Sequence, residues 1–485
     1  MLKTQCVATV LAALAVLGAA RAQAPVFGQR TYNGGYTYTH GDVNNDGRED
    51  LVVPTLTGFN VVLSTSDATY GAKTSYTVPN SNPSGVVLLD LNNDGKLDII
   101  AFNPSAPGFY EYLNNGNGTF HLQATFTLPN IQAIAVGDFN HDGYADLAIT
   151  DANSLRTYFN NHARGWTAGP VTSVPQASEL SVGDFDGDGN ADIAASSTAA
   201  TYLYFGDNRG HFTVVNATTA SHPMVFLMDL DGDGKSDLVG AAVAGGGYPN
   251  VDTYYRQLFV VYGNASRTIA QSSIPLGWYV SPYLFGEPAT SPSVDAADFN
   301  GDGKQDLTLV ESQNADGSGI RRLVVMTGAG GRTWNPEQVL YSDSTLDYGV
   351  AAVRANRDNR PDILADTFTN NQTTARVFVN NTSGGFYGGC SLPNAATGIH
   401  LCSSTTSSST SVTFNASAAG LPMMRKMEIW VDGVKKSEQI AYHDFSHYAF
   451  LNRTLTLSQG THKVVIYAAG YDNMLEKNVY TFTVQ

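Results

Sequence analysis

Charge is scarce in this chain. Only 14% of its 485 residues are Asp, Glu, Lys or Arg, and just 27 are basic. No basic patch stands out, so the electrostatic footprint of a nucleic-acid partner is missing. Three cysteines are too few for a disulfide-dense scaffold. No nucleophile elbow, phosphate loop or dinucleotide fingerprint occurs, which removes the commonest catalytic signatures. After the first two dozen residues, no apolar stretch is long enough to cross a membrane as a helix.

What is abundant points to strands and turns. There are 48 Gly, 25 Tyr and 22 Phe, a balance that suits an all-β, turn-rich protein. The length exceeds one ordinary domain, so two or more units are expected. Met1 to Ala24 reads as a secretory signal peptide. Lys3 gives the positive start, Val7 to Leu17 the apolar run, and Ala20-Arg21-Ala22 or Ala22-Gln23-Ala24 the cleavage site. The mature chain is therefore expected to be secreted, extracellular or on the cell surface, the periplasm being open as well. Cys390 and Cys402 remain, an even pair that suits one disulfide in an exported chain.

One motif recurs from end to end. It reads oxygen-bearing residue, any, oxygen-bearing residue, any, Asp, Gly, any, any, Asp, then an apolar residue, and it starts at Asp42, Asp90, Asp138, Asp184, Asp229 and Asp298. Calcium takes six to eight hard oxygen ligands, and oxygens on alternate residues of a tight loop turn to a common centre. The expected ligands of the first copy are the side chains of Asp42, Asn44, Asp46 and Asp50 with the carbonyl of Arg48. The second uses Asp90, Asn92, Asp94 and Asp98 with Lys96, and the third Asp138, Asn140, Asp142 and Asp146 with Tyr144. The fourth uses Asp184, Asp186, Asp188 and Asp192 with Asn190, and the fifth Asp229, Asp231, Asp233 and Asp237 with Lys235. The sixth uses Asp298, Asn300, Asp302 and Asp306 with Lys304. The seventh position varies, as a position that lends only its carbonyl can. A bare Asp-Gly or Asn-Gly turn has no use for the Asp at the ninth position. About six structural calcium sites follow, and they absorb nearly half of the 43 acidic residues behind the formal charge of −16.

The flanks of each loop are short apolar runs, such as Val86 to Leu89 and Ile99-Ile100, which read as buried strands. Loop starts are 48, 48, 46, 45, 69 and 56 residues apart, counting a decayed seventh copy at Arg354. That is the period of a four-stranded propeller blade. Residues 25–389 are thus expected to form a seven-bladed β-propeller. Val26 to Tyr32 would serve as the last blade's missing strand, closing the ring and hiding an edge.

Gly137-Asp138 through Asp146-Leu147 and its copies resemble the FG-GAP and VCBS repeats of integrin alpha-subunit propellers and of many exported bacterial proteins. The resemblance implies calcium in the loops. It also implies adhesion or ligand binding or, less often, cleavage of polysaccharides. The phenylalanine-glycine and glycine-alanine-proline signatures are mostly absent, so the match is to the looser bacterial form. In the seventh copy Arg354 replaces the first carboxylate and Asn359 the glycine. Either the Arg354 guanidinium takes the place of the ion between Asp358 and Asp362, or it points to solvent.

Two stretches lengthen the fifth repeat, Gly245 to Tyr255 and Gly277 to Pro292, and strand order puts both on the face away from the loops. They carry Tyr248, Tyr254, Tyr255, Trp278, Tyr279, Tyr283 and Phe285. These rings either form a ligand surface or fold over the insertion's own core. Residues 390–411, with Ser403 to Ser411 nearly all Ser and Thr, read as a linker. Residues 412–485 read as a small β-sandwich resembling the immunoglobulin-like modules of exported bacterial proteins, with an Asp432-Gly433 hairpin. The expected role is a non-catalytic binding or adhesion protein for an extracellular protein or glycan. The alternative is a carbohydrate-active, lyase-like enzyme with its site at the propeller axis.

Overall fold

The computed structural model of the chain describes residues 27–484 apart from 33–38, 66–67, 80–84, 104–107, 129, 152, 164, 174–176, 198–199, 219–224, 242–254, 281–293, 315–318, 357–359, 370–371, 383–398, 409, 421–423, 441–447 and 471–474. Every regular element among the described residues is a strand.

Each repeat folds as its apolar pattern dictates. In the second repeat, Gly85–Leu89, Asp98–Phe102, Gly108–Asn114 and Phe120–Thr127 pair in sequence order, every pair antiparallel. Asp98–Phe102 and Gly108–Asn114 are buried along their whole length because they have a sheet on either side, while Phe120–Thr127 is largely exposed. The same order recurs in Thr39–Gly41 through Tyr70–Thr77, Ala133–Gly137 through Trp166–Ser173, and Ala177–Gly183 through Phe212–Thr218.

The cores lie between consecutive sheets, so each sheet needs both neighbours. Val52, Phe59 and Val61 pack with Val86, Leu88 and Ile99 of the next repeat. Ile100 and Phe109 in turn pack with Ile134 and Leu147. Polar ties repeat the same step: Asn114 Nδ2 donates to the Val43 carbonyl at 2.7 Å, Asn160 Nδ2 to Leu91 at 2.8 Å and Asn380 Nδ2 to Phe299 at 2.8 Å. The first and last sheets are joined in the same way. Ser64 Oγ donates to the Ala355 carbonyl at 2.6 Å, and Leu51 and Val62 share a core with Val353 and Leu364. Phe27–Tyr32 pairs antiparallel with Gln372–Asn380 as the outer strand of the last sheet, the strand donation expected from the sequence. The chain is an all-β propeller.

Two sequence expectations need correction. Trp278 and Tyr279 do not sit on a crossing loop. Gln271–Val280 is one strand, and its Tyr279 and Val280 lie opposite Ser312 and Glu311, which fuses the fifth and sixth sheets. Alternation explains this, since Ile274, Leu276 and Val280 face inward and carry the strand on. Residues 403–411 are likewise no linker. Ile399–Ser408 pairs with Ser411–Gly420 along its full length. Ile399 and Leu401 pack on the core beneath, and Thr405 is bonded to the Tyr480 hydroxyl. β-branched Thr tolerates such a strand well.

That strand belongs to a two-sheet sandwich. One sheet comprises Ile399–Ser408, Ser411–Gly420 and Tyr448–Thr456. The other comprises Val434–Ile440, Met424–Val431, Gly460–Gly470 and Leu475–Val484, in that spatial order. Both feed one core of Val412, Phe414, Met427, Ile429, Leu451, Val464 and Ile466. The Asp432-Gly433 turn is present, with φ of 53° and 80°, the left-handed pair a tight hairpin needs. The Cys390–Cys402 pairing lies outside the described residues.

Candidate metal centres in the repeat loops

Each loop is shaped by its own backbone amides. In the third copy, Asp142 N–H donates to Asp138 Oδ1 at 3.1 Å and to Asn140 Oδ1 at 2.9 Å. Gly143 N–H donates to Asp138 Oδ2 at 3.0 Å and Tyr144 N–H to Asp142 Oδ1 at 2.9 Å. The first, second and sixth copies repeat all four bonds. So does the fourth, with Asp186 at the third position. Such bonds hold the oxygens of the first, third and fifth residues on the inner side of the turn.

The turn demands two left-handed residues. The sixth is always Gly, with φ between 80° and 92°. The fourth position is left-handed too: Asn45, Asn93 and His141 have φ of 56°, 57° and 60°, and Gly187, Gly232 and Gly301 have 75° to 78°. Asn and Gly are the residues that adopt this region at least cost. Only Asn, His and Gly occupy the fourth position of the intact loops, a signal that the sequence itself carries.

Three carboxylates converge in each of the two loops richest in carboxylate. Oxygens of Asp184, Asp186 and Asp188 lie within 4.8 Å of one another, as do those of Asp229, Asp231 and Asp237. The loops that carry Asn at the third position make the same turn with an amide oxygen in that place. Asp229 Oδ1 is buried and meets no hydrogen-bond partner. An orphaned carboxylate oxygen in a loop where three carboxylates converge is what a hard cation would satisfy, and the all-oxygen donor set fits calcium.

The ninth-position aspartates are fully buried and doubly bonded. Asp146 accepts from Phe139 N–H at 3.0 Å and from Asn160 N–H at 2.9 Å, tying the loop to the end of the third strand. Asp50, Asp98, Asp192, Asp237 and Asp306 do the same. Burial pushes Asp98 up to about 7 and Asp146, Asp192, Asp237 and Asp306 up to about 8. The first-position residues Asp90 and Asp184 are raised to about 6, again chiefly by burial. Bare loops therefore resist carrying their full negative charge.

The seventh position is not indifferent, contrary to the sequence reading. Lys96, Lys235 and Lys304 bond the fifth-position aspartates Asp94, Asp233 and Asp302 at 2.6, 2.8 and 3.0 Å, and Arg48 bonds Asp46. Where the seventh residue cannot do this, another side chain does. His162 stacks on Tyr144 and reaches Asp142 at 2.9 Å; Arg267 reaches Asp186 at 2.5 Å and Asp188 at 3.4 Å. Arg332 adds a bond to Asp231 at 2.6 Å.

Arg354 has a partner in a different repeat, Glu49, at 3.7 Å. Asp358, one of its two expected partners, lies outside the described residues. Asp362 does keep the frame role, accepting from Ala355 and Asn380 N–H groups. Of the candidate ligand rings, Tyr248, Tyr254, Tyr283 and Phe285 lie outside the described residues, and Tyr255 opens the strand Tyr255–Val261. Trp278 and Tyr279 are half-buried under Arg322 and Arg256, whose guanidinium carbons sit 4.3 and 4.6 Å from the ring centres. Arg322 also bonds the buried Glu311 at 2.6 Å, and the two lie opposite each other on paired strands.

An open groove of about 1150 Å³ lies beside the Asp229 loop, lined by Tyr262, Asn264, Arg332, Trp334 and Glu337 among others.

Comparison with known proteins agrees with this architecture. The FG-GAP-like repeat family matches residues 42–101, 90–149, 138–195, 184–240 and 229–309, a continuous span of more than half the chain. BBS1N, solved in complex with ARL6DN, superposes with a TM-score of 0.50 at 12% identity over 74% of this chain and 98% of that one. An Agrocybe aegerita lectin that recognises non-reducing terminal N-acetylglucosamine gives 0.46 at 18% identity over 73% and 87%. A Lactobacillus plantarum protein gives 0.43 at 15% identity over 63% and 84%. No curated protein matches the sequence. The chain belongs to the FG-GAP-like repeat family.

Proposed function

We propose that this is an exported propeller of seven blades whose six intact loops hold calcium, acting as a non-catalytic binding or adhesion protein for an extracellular protein or glycan. The observation that carries the calcium reading is the Asp229 loop, where carboxylate oxygens of Asp229, Asp231 and Asp237 converge and the buried Asp229 Oδ1 has no hydrogen-bond partner. Asp229, Asp231 and Asp237 would hold the ion there, and their counterparts would do so in the other loops. The ion supplies positive charge that offsets mutual repulsion of the carboxylates and joins the first two strands of a sheet. Export agrees with this, since extracellular modules bind calcium at roughly 10⁻⁴–10⁻³ M, the range found outside cells.

The binding role is supported by the open groove, where the half-buried rings of Tyr262, under the Arg332 guanidinium, and Trp334 lie beside polar groups, a mixed lining that suits sugar or protein partners. A screen of glycans, polysaccharides and extracellular proteins, run in calcium with turnover measured alongside, tests it. Saturable binding without turnover is expected; cleavage of a polysaccharide would replace this reading with the enzymatic one.

A further inference from the structure

The C-terminal sandwich presents two arginines to the loop face of the propeller. Arg425, on Met424–Val431, bonds Asp138 Oδ2 at 3.1 Å. Arg453, on Tyr448–Thr456, bonds Asp229 Oδ2 at 3.0 Å and the Gly232 carbonyl at 2.8 Å, and it is only 5% exposed. Asp138 and Asp229 are first-position residues of the third and fifth loops. Between them, Glu438 of the same module stands over the fourth loop, its Oε2 3.8 Å from where a Cβ on Gly189 would be. A Cβ on Gly143 would come within 3.2 Å of Arg425, and one on Gly234 within 2.8 Å of Arg453. The sixth-position glycines of three consecutive loops thus form the floor on which the sandwich rests.

We propose that calcium in the third and fifth loops latches the C-terminal sandwich onto the propeller. The inference rests on the calcium reading above. At the fifth loop the arginine takes one carboxylate oxygen of Asp229 and leaves the other without a hydrogen bond. Arg453 and Gly234 N–H share Asp229 Oδ2, whereas the buried Asp229 Oδ1 accepts no hydrogen bond, in a loop where Asp229, Asp231 and Asp237 bring carboxylate oxygens within 4.8 Å of one another. The Asp229 carboxylate would hold the guanidinium through Oδ2 and have Oδ1 left for the ion. Arg453 also needs the Gly232 carbonyl held in place, and Gly232 is the left-handed fourth residue of that loop. An ion fixes both acceptors at the spacing the guanidinium fork requires. Without it, repelling carboxylates open the loop and the fork loses one partner. Linkage makes the coupling mutual: what the ion does for docking, docking does for ion affinity.

The test uses the full chain, with small-angle scattering and calcium calorimetry on the same samples. The expected result is a compact particle in calcium and a larger radius of gyration in chelator, with Arg425→Ala/Arg453→Ala extended in both. In that variant two of the sites should bind calcium about fivefold or more weakly. Arg425→Ala alone, at the more exposed contact, should show the same effect at one site. Absence of any calcium uptake would overturn the calcium reading and the latch with it. Uptake with an unchanged scattering curve, or expansion on adding calcium, would overturn the latch alone.

Discussion

Asp362 accepts the backbone N–H groups of Ala355 and Asn380 at 3.1 and 2.8 Å, in the repeat whose first loop position is an arginine and not a carboxylate. Asp146 makes the same pair of bonds in an intact loop. The ninth-position acid is therefore part of the frame whether or not its loop can hold an ion. Asp362→Ala orphans two buried donors and should cost on the order of 3 kcal/mol, equally in calcium and in chelator. Denaturant unfolding of the two forms checks this; a loss seen only in calcium would assign Asp362 to a metal site.

The buried aspartates set a pH dependence. Asp98, held near 7, and Asp146, Asp192, Asp237 and Asp306, held near 8 by burial, keep protons that an unfolded aspartate has released above about pH 4. Between those values the folded chain binds more protons than the unfolded one, so ion-free stability falls as pH rises from about 4 to 8. Melting in chelator should drop across pH 5 to 8, while a cation that replaces the protons should flatten the curve in calcium. Calorimetric melts at both extremes decide it; parallel slopes would contradict it.

Glu49 and Arg354 meet where the first repeat joins the last. Glu49 is fully buried, and His40 at 2.7 Å, with Arg354, holds its carboxyl below the usual range despite that burial. Arg354→Ala removes one counter-charge and should cost about 2 kcal/mol. Glu49→Gln/Arg354→Ala should lose less than the two single costs added, because the stranded carboxylate is gone. A double-mutant cycle by urea unfolding measures the difference.

Position four of the loop offers a backbone test. Asn93 has φ of 57°, so Asn93→Ala should cost about 1 kcal/mol while Asn93→Gly stays close to neutral. Equal losses would show that the Asn93 side chain matters and its backbone does not.

Much of this is legible in the sequence. The loop starts, the strand before and after each, the return of Phe27–Tyr32 to the last sheet and the Asp432-Gly433 hairpin all follow from short-range patterns, which sequence carries well. What was hidden depends on chain-distant partners. Nothing near Asp229 announces Arg453, and nothing near Asp186 announces Arg267. The Ser/Thr run at 403–411 looked like a linker because its apolar partners are Ile399 and Leu401 just before it and a sheet edge far along the chain. Trp278 looked loop-borne because glycine and proline flank it, yet Ile274, Leu276 and Val280 keep the alternation of a strand.

The central claim is that the recurring loops are cation sites, and counting ions tests it most directly. Native mass spectrometry of the calcium-equilibrated chain should show about six bound ions, one per intact loop, and one fewer in Asp229→Ala/Asp231→Ala. A chain that keeps no calcium, or keeps the same number after those aspartates are removed, would contradict the account.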